Sequence, residues 1–252
     1  MLKDYASIAK EVRIKALDMI HRAQTSHIAS NFSVTDMAVV LNENLKPEDR
    51  LVWSKGWAAA TTYILLARRG IIPESDLEIF PKAPYINLVE IGVEGVETTG
   101  GSMGHGVPVA LGIALGQKLA GTPGRVYCIM SDGELNEGTI WETVMIAPHH
   151  KLDNLTVLID RNKWQAMGRT EDIIKLEPLE DKWKVWGWEV LRVDGHDYEA
   201  LEKAILTNPS APQVIICDTI KGKGVSFMED SLVFHYKNVD DETYEKAIKE
   251  LA

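Results

Sequence analysis

The sequence predicts an α/β fold: a doubly wound, mostly parallel sheet with helices on both faces. Short apolar runs at 126–130, 155–160, 188–193 and 213–218 have the length and composition of buried parallel strands. Helical stretches separate most of these runs, as the right-handed crossovers between parallel strands require. Because no repeat, low-complexity tract or inter-domain linker interrupts the chain, residues 1–252 are expected to form a single domain.

The part of the chain before the first of these strands is predicted to be mainly helical. Residues 3–24 carry apolar side chains at helical spacing, which predicts an amphipathic helix. The segment Ser33–Asp36 has the pattern of a capping box and predicts a second helix that ends near Asn42. The sequence Leu51–Trp53 indicates a short strand, and a helix is expected over residues 58–68.

The remaining segments complete the alternation of strands and helices. Residues 71–97 are rich in proline, glycine and charge, and they indicate a short helix with an irregular loop. The apolar segment Gly104–Ala120, with its small residues, predicts a buried helix. Further helices are expected over 136–149 and 197–206, with Asp197 as the N-cap of the second.

Composition restricts the function more than it defines it. Of the 252 residues, 45% are hydrophobic and 25% charged, as in an ordinary globular protein. The net charge is −10 and the sequence contains no basic cluster, so no binding to a nucleic acid is expected. Cys128 and Cys217 lie in apolar runs and are expected to be free thiols in a reducing cytoplasm. Neither a signal peptide nor an apolar segment long enough to span a membrane is expected.

Polar turns follow two of the predicted strands. Asp132-Gly133 comes after the first apolar run, and Asn162 follows the second. Because open α/β sheets bind ligands at the carboxyl ends of their strands, Asp132 and Asn162 are expected to be neighbours. Both supply the hard oxygen ligands that Mg²⁺ or Ca²⁺ requires, and a diphosphate could complete the octahedral shell. A helix beginning near Glu134 would direct its free N–H groups at that diphosphate, and Gly133 would let the backbone approach it closely.

The segments around these turns resemble one family. Ser131–Gly138, followed by Asp160–Gly168, is similar to the thiamine-diphosphate signature, in which an asparagine follows Gly-Asp-Gly. Ser131 stands where the family normally has the first glycine, and it is small enough for cofactor binding to survive. Other segments resemble the cofactor half of transketolase in the same order: Ser26–Ile28, Thr98–Gly106, Trp141–Glu142, Lys151–Leu155 and Lys221–Gly224. From about residue 5 to about residue 240, the chain therefore resembles the N-terminal half of transketolase.

The resemblance implies a site for thiamine diphosphate and Mg²⁺ (or Ca²⁺). Asp132 and Asn162 would be side-chain ligands of the metal ion, and the backbone carbonyl of Trp164 would be a third protein ligand. Gly101 and Met103 align with the family loop that touches the aminopyrimidine of the cofactor. A Gly-rich turn packed on the next helix is the alternative explanation of these two residues.

The substrate end departs from the family pattern. Of the four histidines that line the family's substrate funnel, His27 and His235 match the first and last, and they would orient the donor and assist proton transfer. Trp57 and Asn87 stand in the second and third positions. Trp57 is bulkier and can only donate, whereas Asn87 keeps hydrogen bonding but has no acid–base function. The sequence therefore predicts retained cofactor machinery and a rebuilt substrate end.

A second chain is expected to complete the enzyme. The resemblance covers one half of a transketolase, so the chain is expected to work with a C-terminal-half subunit that binds the pyrimidine. Glu137 matches an acidic residue that joins two cofactor sites across a subunit interface, and an α₂β₂ tetramer is expected. By itself, Glu137 would be a solvated glutamate in the first turn of a helix.

The leading hypothesis is a transketolase-like transferase that moves a two-carbon ketol unit from a ketose phosphate to an acceptor. One alternative keeps the cofactor but takes a 2-oxo acid donor or a carrier-bound acceptor in specialised biosynthesis. Another alternative is a non-catalytic scaffold subunit. Lys221 and Lys223 either meet a phosphate or lie in a flexible solvated loop.

Overall fold

Five strands form the centre of the computed structural model, which describes residues 4–252. The strands are β1 (Arg50–Trp53), β2 (Val126–Ser131), β3 (Leu155–Arg161), β4 (Glu189–Asp194) and β5 (Gln213–Asp218). Their order in the sheet is β1-β2-β3-β5-β4, and every pairing of neighbours is parallel. The predicted parallel sheet is confirmed, with each strand boundary within one residue of its prediction.

Helices cover both faces of this sheet. They are α1 (Tyr5–Ala23), α2 (Ile28–Asn44), α3 (Ala59–Arg68), α4 (Gly106–Ala120), α5 (Gly138–His149), α6 (Thr170–Ile173), α7 (Leu179–Lys184), α8 (Tyr198–Ile205) and α9 (Asp241–Leu251). Side chains of β2 alternate between the faces: Tyr127 and Ile129 join a core with α1, α2, α3, α8 and α9. Cys128 and Met130 join a second core with α4, α5 and α7. The predicted doubly wound architecture is therefore confirmed.

The start of α2 differs from the prediction. The helix begins at Ile28, directly after His27, whose φ of 72° is left-handed. Ser33 lies inside the helix and is buried. Its hydroxyl donates to Asp160 Oδ2 at 2.7 Å, so it serves a distant part of the chain and does not cap a helix. A long-range contact has overridden the local capping pattern.

Two further helix predictions need correction. The helix α4 is not buried along its length, because its inner residues pack on the sheet while Leu119 near its end is 80% exposed. The helix α5 begins at Gly138, since Asp132–Asn136 forms a separate 3₁₀ turn. The prediction for α8 is confirmed: Asp197 accepts hydrogen bonds from the amides of Glu199 and Ala200 at 3.0 and 3.1 Å.

Three of the observed helices, α6, α7 and α9, have no counterpart among the predictions. The region after α3 contains a short 3₁₀ turn at Glu74–Glu78 and is otherwise irregular up to α4, as expected. Within residues 4–252, no helix combines the length and the apolar character needed to cross a membrane.

Candidate active site

The carboxyl ends of β1, β2, β3 and β5 open onto a cavity of about 330 Å³. Residues from the segments that follow these strands form much of its wall, including Trp57, Gly133, Asn162 and Lys221. His27 lines the cavity from the start of α2. This edge is where open α/β sheets bind ligands, and the volume is within the range of small-molecule sites.

Asp132 follows β2 and is fully buried; it does not line the cavity itself, whereas its neighbours Ser131 and Gly133 do. Its Oδ2 atom accepts hydrogen bonds from Arg161 Nη1 at 2.8 Å, the amide of Lys163 at 2.7 Å and Thr170 Oγ1 at 3.3 Å. Its Oδ1 atom is buried and has no hydrogen-bond partner among the described residues. Burial raises the pKa of Asp132, and the guanidinium of Arg161 opposes that rise. Because a buried oxygen without a partner is costly, the arrangement fits a cation at Oδ1.

Asn162 follows β3 and borders the cavity. Its Oδ1 atom accepts from the amide of Trp164 at 3.0 Å, and its Nδ2 atom donates to Asp160 Oδ2 at 3.3 Å. The next residue, Lys163, donates its amide to Asp132, so the turns that carry the two predicted side-chain ligands of the metal ion are in contact. None of the described residues forms a cluster of three His, Cys, Asp or Glu that could hold a metal ion. Of the predicted protein ligands, Asp132 would supply the charged oxygen, and Asn162 and the Trp164 carbonyl would supply neutral oxygens.

Glu134 connects the Gly-rich loop, residues 98–106, to the end of β2. Its Oε1 atom accepts from Ser54 Oγ at 2.5 Å and from the amide of Gly104 at 3.2 Å. Its Oε2 atom accepts from the amide of Ser131 at 2.8 Å, and burial raises the pKa of the carboxyl group. The prediction that α5 begins near Glu134 is wrong, because this residue belongs to the 3₁₀ turn and caps it together with Ser131. The turn, and not the first turn of α5, borders the cavity.

Gly101 and Met103 border the same cavity, and so does Gly133. Gly101 has a φ of 99°, and a Cβ atom there would lie 2.7 Å from the Leu88 side chain. The loop therefore requires glycine at this position. A Cβ atom on Gly133 would approach the side chain of Gln165 to 3.2 Å, which is tight. Met103 is 46% exposed, so its side chain is available to a ligand or to another chain.

His27 and His235 meet in the cavity, with ring centroids 5.0 Å apart. The indole of Trp57 stacks on His27 at 4.2 Å, with an interplanar angle of 11°. Burial and the charges of Lys221 and Lys55 lower the pKa of His27 to about 4. Burial, the charge of Lys221, the neighbouring His27 and the charge of Lys55 lower the pKa of His235 to about 3. Both imidazoles are therefore neutral near pH 7.

Two buried lysines, Lys221 and Lys55, lie at the cavity. The sequence patterns do not predict that either side chain is buried. Lys221 is 1% exposed, and its Nζ atom lies 2.7 Å from His235 Nδ1. Burial and the nearby charge of Lys55 lower the pKa of Lys221 to about 8. The solvated-loop alternative is therefore wrong for Lys221, whereas Lys223 is partly exposed. Lys55 forms a buried ion pair with Asp160 at the end of β3.

Besides Asp132, two further predicted site residues do not border the cavity. Glu137 occupies the N-cap position of α5, where its side chain makes no capping hydrogen bond. Its side chain packs where a Cβ atom on Gly104 would have to be. Asn87 is half-buried, and its Oδ1 atom is enclosed without a hydrogen-bond partner among residues 4–252. Both residues would need another chain or a ligand to acquire a function at this site.

Comparison with known proteins places the chain in one family. Residues 5–251 match the family described as transketolase, thiamine diphosphate binding domain. The 6-deoxy-6-sulfo-D-fructose transketolase subunit SqwG of Clostridium sp. strain MSTE9 is 34% identical, covering 96% of this chain and 94% of that protein. One of the subunits of apulose-4-phosphate transketolase from Actinobacillus succinogenes is 38% identical, covering 84% of this chain and 80% of that protein.

The fold comparison agrees with the sequence comparison. The crystal structure of transketolase from Campylobacter jejuni matches the whole chain with a TM-score of 0.92 and 29% sequence identity. The chain spans 43% of that transketolase, and it spans 42% of the human one. The chain belongs to the transketolase family, as a transketolase-type transferase subunit built from the family's thiamine-diphosphate-binding domain.

Proposed function

We propose that the chain binds the diphosphate of thiamine diphosphate through Mg²⁺ and forms one half of a transketolase-type active site. The observation that carries this proposal is the buried Oδ1 atom of Asp132, which lies beside the turn of Asn162 and has no hydrogen-bond partner within residues 4–252. The cation would be held by Asp132, Asn162 and the backbone carbonyl of Trp164, together with diphosphate oxygens. Ca²⁺ could replace Mg²⁺, since both prefer oxygen ligands.

The cofactor, when bound, supplies the carbanion stabilisation that ketol transfer needs. The chain's own residues position the reactants and handle protons. Ser26 Oγ lies 2.7 Å from His27 Nδ1, and Lys221 Nζ lies 2.7 Å from His235 Nδ1. The Nδ1 atom of each histidine therefore already has a hydrogen-bond partner. The Nε2 atom of each neutral imidazole is therefore left to orient a donor hydroxyl or carbonyl and to exchange a proton with it. The ammonium of Lys221 also suits an anionic diphosphate.

A partner subunit would complete this site. The two relatives are named as transketolase subunits, and the alignments cover 94% and 80% of their lengths. Several apolar side chains at the cavity are exposed in the isolated chain: Met103 by 46%, Met167 by 83% and Tyr236 by 60%. A pyrimidine-binding, C-terminal-half partner would cover them, as in an obligate interface. In an α₂β₂ assembly, Glu137 would lie between the two cofactor sites.

Calorimetric titration of thiamine diphosphate into the chain with its partner tests this proposal. The product of a neighbouring reading frame is the first partner to try. We expect saturable binding in Mg²⁺ that is lost when EDTA removes the metal ion, because the cation links the diphosphate to Asp132. An absence of binding, or binding that ignores the metal, would contradict the proposal and favour a scaffold subunit.

For the reaction, we propose ketol transfer from a ketose phosphate, and Trp57 favours a second candidate with a different substrate. Its indole covers one face of His27 and forms part of the cavity wall. An indole fills space that a hydroxylated carbon chain would need, and it offers one N–H donor. A 2-oxo acid donor or a carrier-bound acceptor needs fewer hydrogen bonds from this part of the cavity wall than a sugar phosphate does. By their names, the relatives act on sulfofructose and apulose 4-phosphate, so substrates differ within the group.

Replacing Trp57 by histidine is expected to shift the preference toward ketose phosphates by about 10- to 100-fold, because the imidazole restores a hydroxyl partner and frees space. The measurement is kcat/KM of the chain and its partner with xylulose 5-phosphate and with pyruvate. Trp186→His is the matched control, since Trp186 is 45% exposed and does not line the cavity. An unchanged ratio in Trp57→His would remove Trp57 from substrate selection.

A further inference from the structure

A chain of polar contacts, buried at Arg13 and Asp36 and exposed at Ile220, runs from the first two helices to the loop that carries Lys221. Asp36 of α2 accepts hydrogen bonds from Arg13 of α1 at 2.9 and 2.7 Å. The hydroxyl of Tyr198 donates to Asp36 Oδ1 at 2.9 Å, and His196 Nδ1 lies 2.7 Å from Oδ2. Burial alone would raise the pKa of Asp36, but the contacts with His196 and Arg13 lower it to about 2. Asp36 is therefore a carboxylate.

His196 has a partner at each ring nitrogen. The backbone amide of Ile220 donates to its Nε2 atom at 2.9 Å. Because a neutral imidazole carries one N–H group, the proton must then lie on Nδ1 and be donated to Asp36. The carboxylate thus sets both the tautomer and the orientation of the ring. The turn is also close-packed, since a Cβ atom on Gly195 would lie 2.4 Å from Thr219.

The loop after β5 is anchored residue by residue up to the cavity. The hydroxyl of Thr219 donates to Asp160, and the Ile220 amide is held by His196. Lys221 then enters the cavity. On its far side, the amide of Gly222 donates to the carbonyl of Ala29 at 3.1 Å. The hydrogen bond to His196 therefore anchors the residue that precedes Lys221, while the carbonyl of Lys221 itself accepts from the amide of Asp230 at 2.8 Å.

We propose that His196 is a positioning residue for the cofactor site. Oriented by Asp36, it fixes the Ile220 amide and thereby the direction in which the ammonium of Lys221 meets the diphosphate and His235. This inference rests on the proposed function, because it gives Lys221 a role toward thiamine diphosphate. It also gives a role to the Gly-His-Asp turn of residues 195–197, which lies outside the cavity wall.

Two substitutions at His196 test the proposal in the full chain with its partner. His196→Ala removes both hydrogen bonds and is expected to weaken thiamine diphosphate binding in saturating Mg²⁺ by about 10- to 100-fold, as changes behind a binding group commonly do. His196→Gln keeps a donor for Asp36 and an acceptor for Ile220, so it should recover most of the affinity. Calorimetric dissociation constants provide the readout, and circular dichroism confirms that each variant is folded.

A double-mutant cycle separates positioning from a general loss of structure. If His196 acts through Lys221, adding His196→Ala to Lys221→Met should weaken binding no further than Lys221→Met alone. His21→Ala is the matched control, because His21 also contacts an aspartate, Asp241 at 2.9 Å, but does not line the cavity. It should bind the cofactor as tightly as the wild type.

The outcomes distinguish this inference from the proposed function. No cofactor binding by the wild-type pair would overturn the proposed function itself. Wild-type binding together with unchanged affinity in His196→Ala would overturn the positioning role alone. Multiplicative losses in the cycle would also overturn it, since they would show that His196 does not act through Lys221. If His196→Ala does not fold, the cycle is run with His196→Phe, which removes both hydrogen bonds but keeps a planar ring.

Discussion

Replacing Asp132 by asparagine is expected to abolish metal-dependent cofactor binding while leaving the fold intact. The carboxamide oxygen can still accept from Arg161 and from the amide of Lys163, which now bond to Oδ2 at 2.8 and 2.7 Å. The carboxamide nitrogen would then take the place of Oδ1, which has no partner in the described part of the chain, and direct N–H groups at the cation. We expect the dissociation constant of thiamine diphosphate in Mg²⁺ to rise more than about 100-fold, beyond the usual cost of outer-shell changes.

Asp181→Asn provides the control for this measurement. Asp181 is an exposed aspartate of α7, and no residue of α7 lines the cavity, so the same chemical change should leave the affinity unaltered. Calorimetry with the partner present measures the affinity, and thermal unfolding checks that both variants fold. Wild-type affinity in Asp132→Asn would show that no cation is held at Oδ1, and the diphosphate would then have to bind elsewhere.

The strands could be predicted from the sequence because their burial is nearly complete. Every residue of β3 is buried, and five of the six residues of β2 are. Strands covered on both faces read as continuous apolar runs, which need no tertiary information to recognise. The edge strand β4 is partly exposed, but it can also be predicted because turn residues lie close to both of its ends.

Helix starts were harder to predict because distant groups compete for the capping side chains. The Ser33 hydroxyl is used by Asp160, so the local signal at Ser33 placed the start of α2 too late. The helix α9 is a different case, since its own sequence carries a signal. Asp240 accepts from the amide of Thr243 at 2.8 Å, as an N-cap does, and the apolar residues that follow have helical spacing.

The same distinction holds for the candidate site: local sequence predicts some of its residues, and distant contacts determine the others. Asp132 and Asn162 could be placed at one edge of the sheet because each directly follows a recognisable strand. The glycines on either side of Lys221 do not predict its burial. That burial depends on contacts with α2 and with the loop of His235. The stack of Trp57 on His27 depends in the same way on residues far apart in sequence.

Asp160→Ala is expected to cost more stability than any other change at the site. Asp160 is fully buried and accepts hydrogen bonds from side chains of four separate segments: Ser33, Lys55, Asn162 and Thr219. Although burial alone would raise the pKa of Asp160, the charge of Lys55 and these hydrogen bonds lower it, so the group is ionised. Removing it leaves the ammonium of Lys55 buried without a counter-ion, which typically costs about 3–5 kcal/mol. For a domain of this size, the midpoint of thermal unfolding should fall by about 10 °C.

The source of that loss can be isolated by removing both charges of the pair. In Lys55→Met/Asp160→Leu no charge is left unpaired, so the free energy of unfolding should recover much of the loss seen in Asp160→Ala. Asp153→Ala is the control, because Asp153 forms an exposed pair with Lys118 at 2.7 Å, and such pairs contribute little. Urea unfolding followed by tryptophan fluorescence measures all three variants. If the double variant is as unstable as Asp160→Ala, the hydrogen bonds that join the four segments, and not the stranded charge, hold the carboxyl edge of the sheet together.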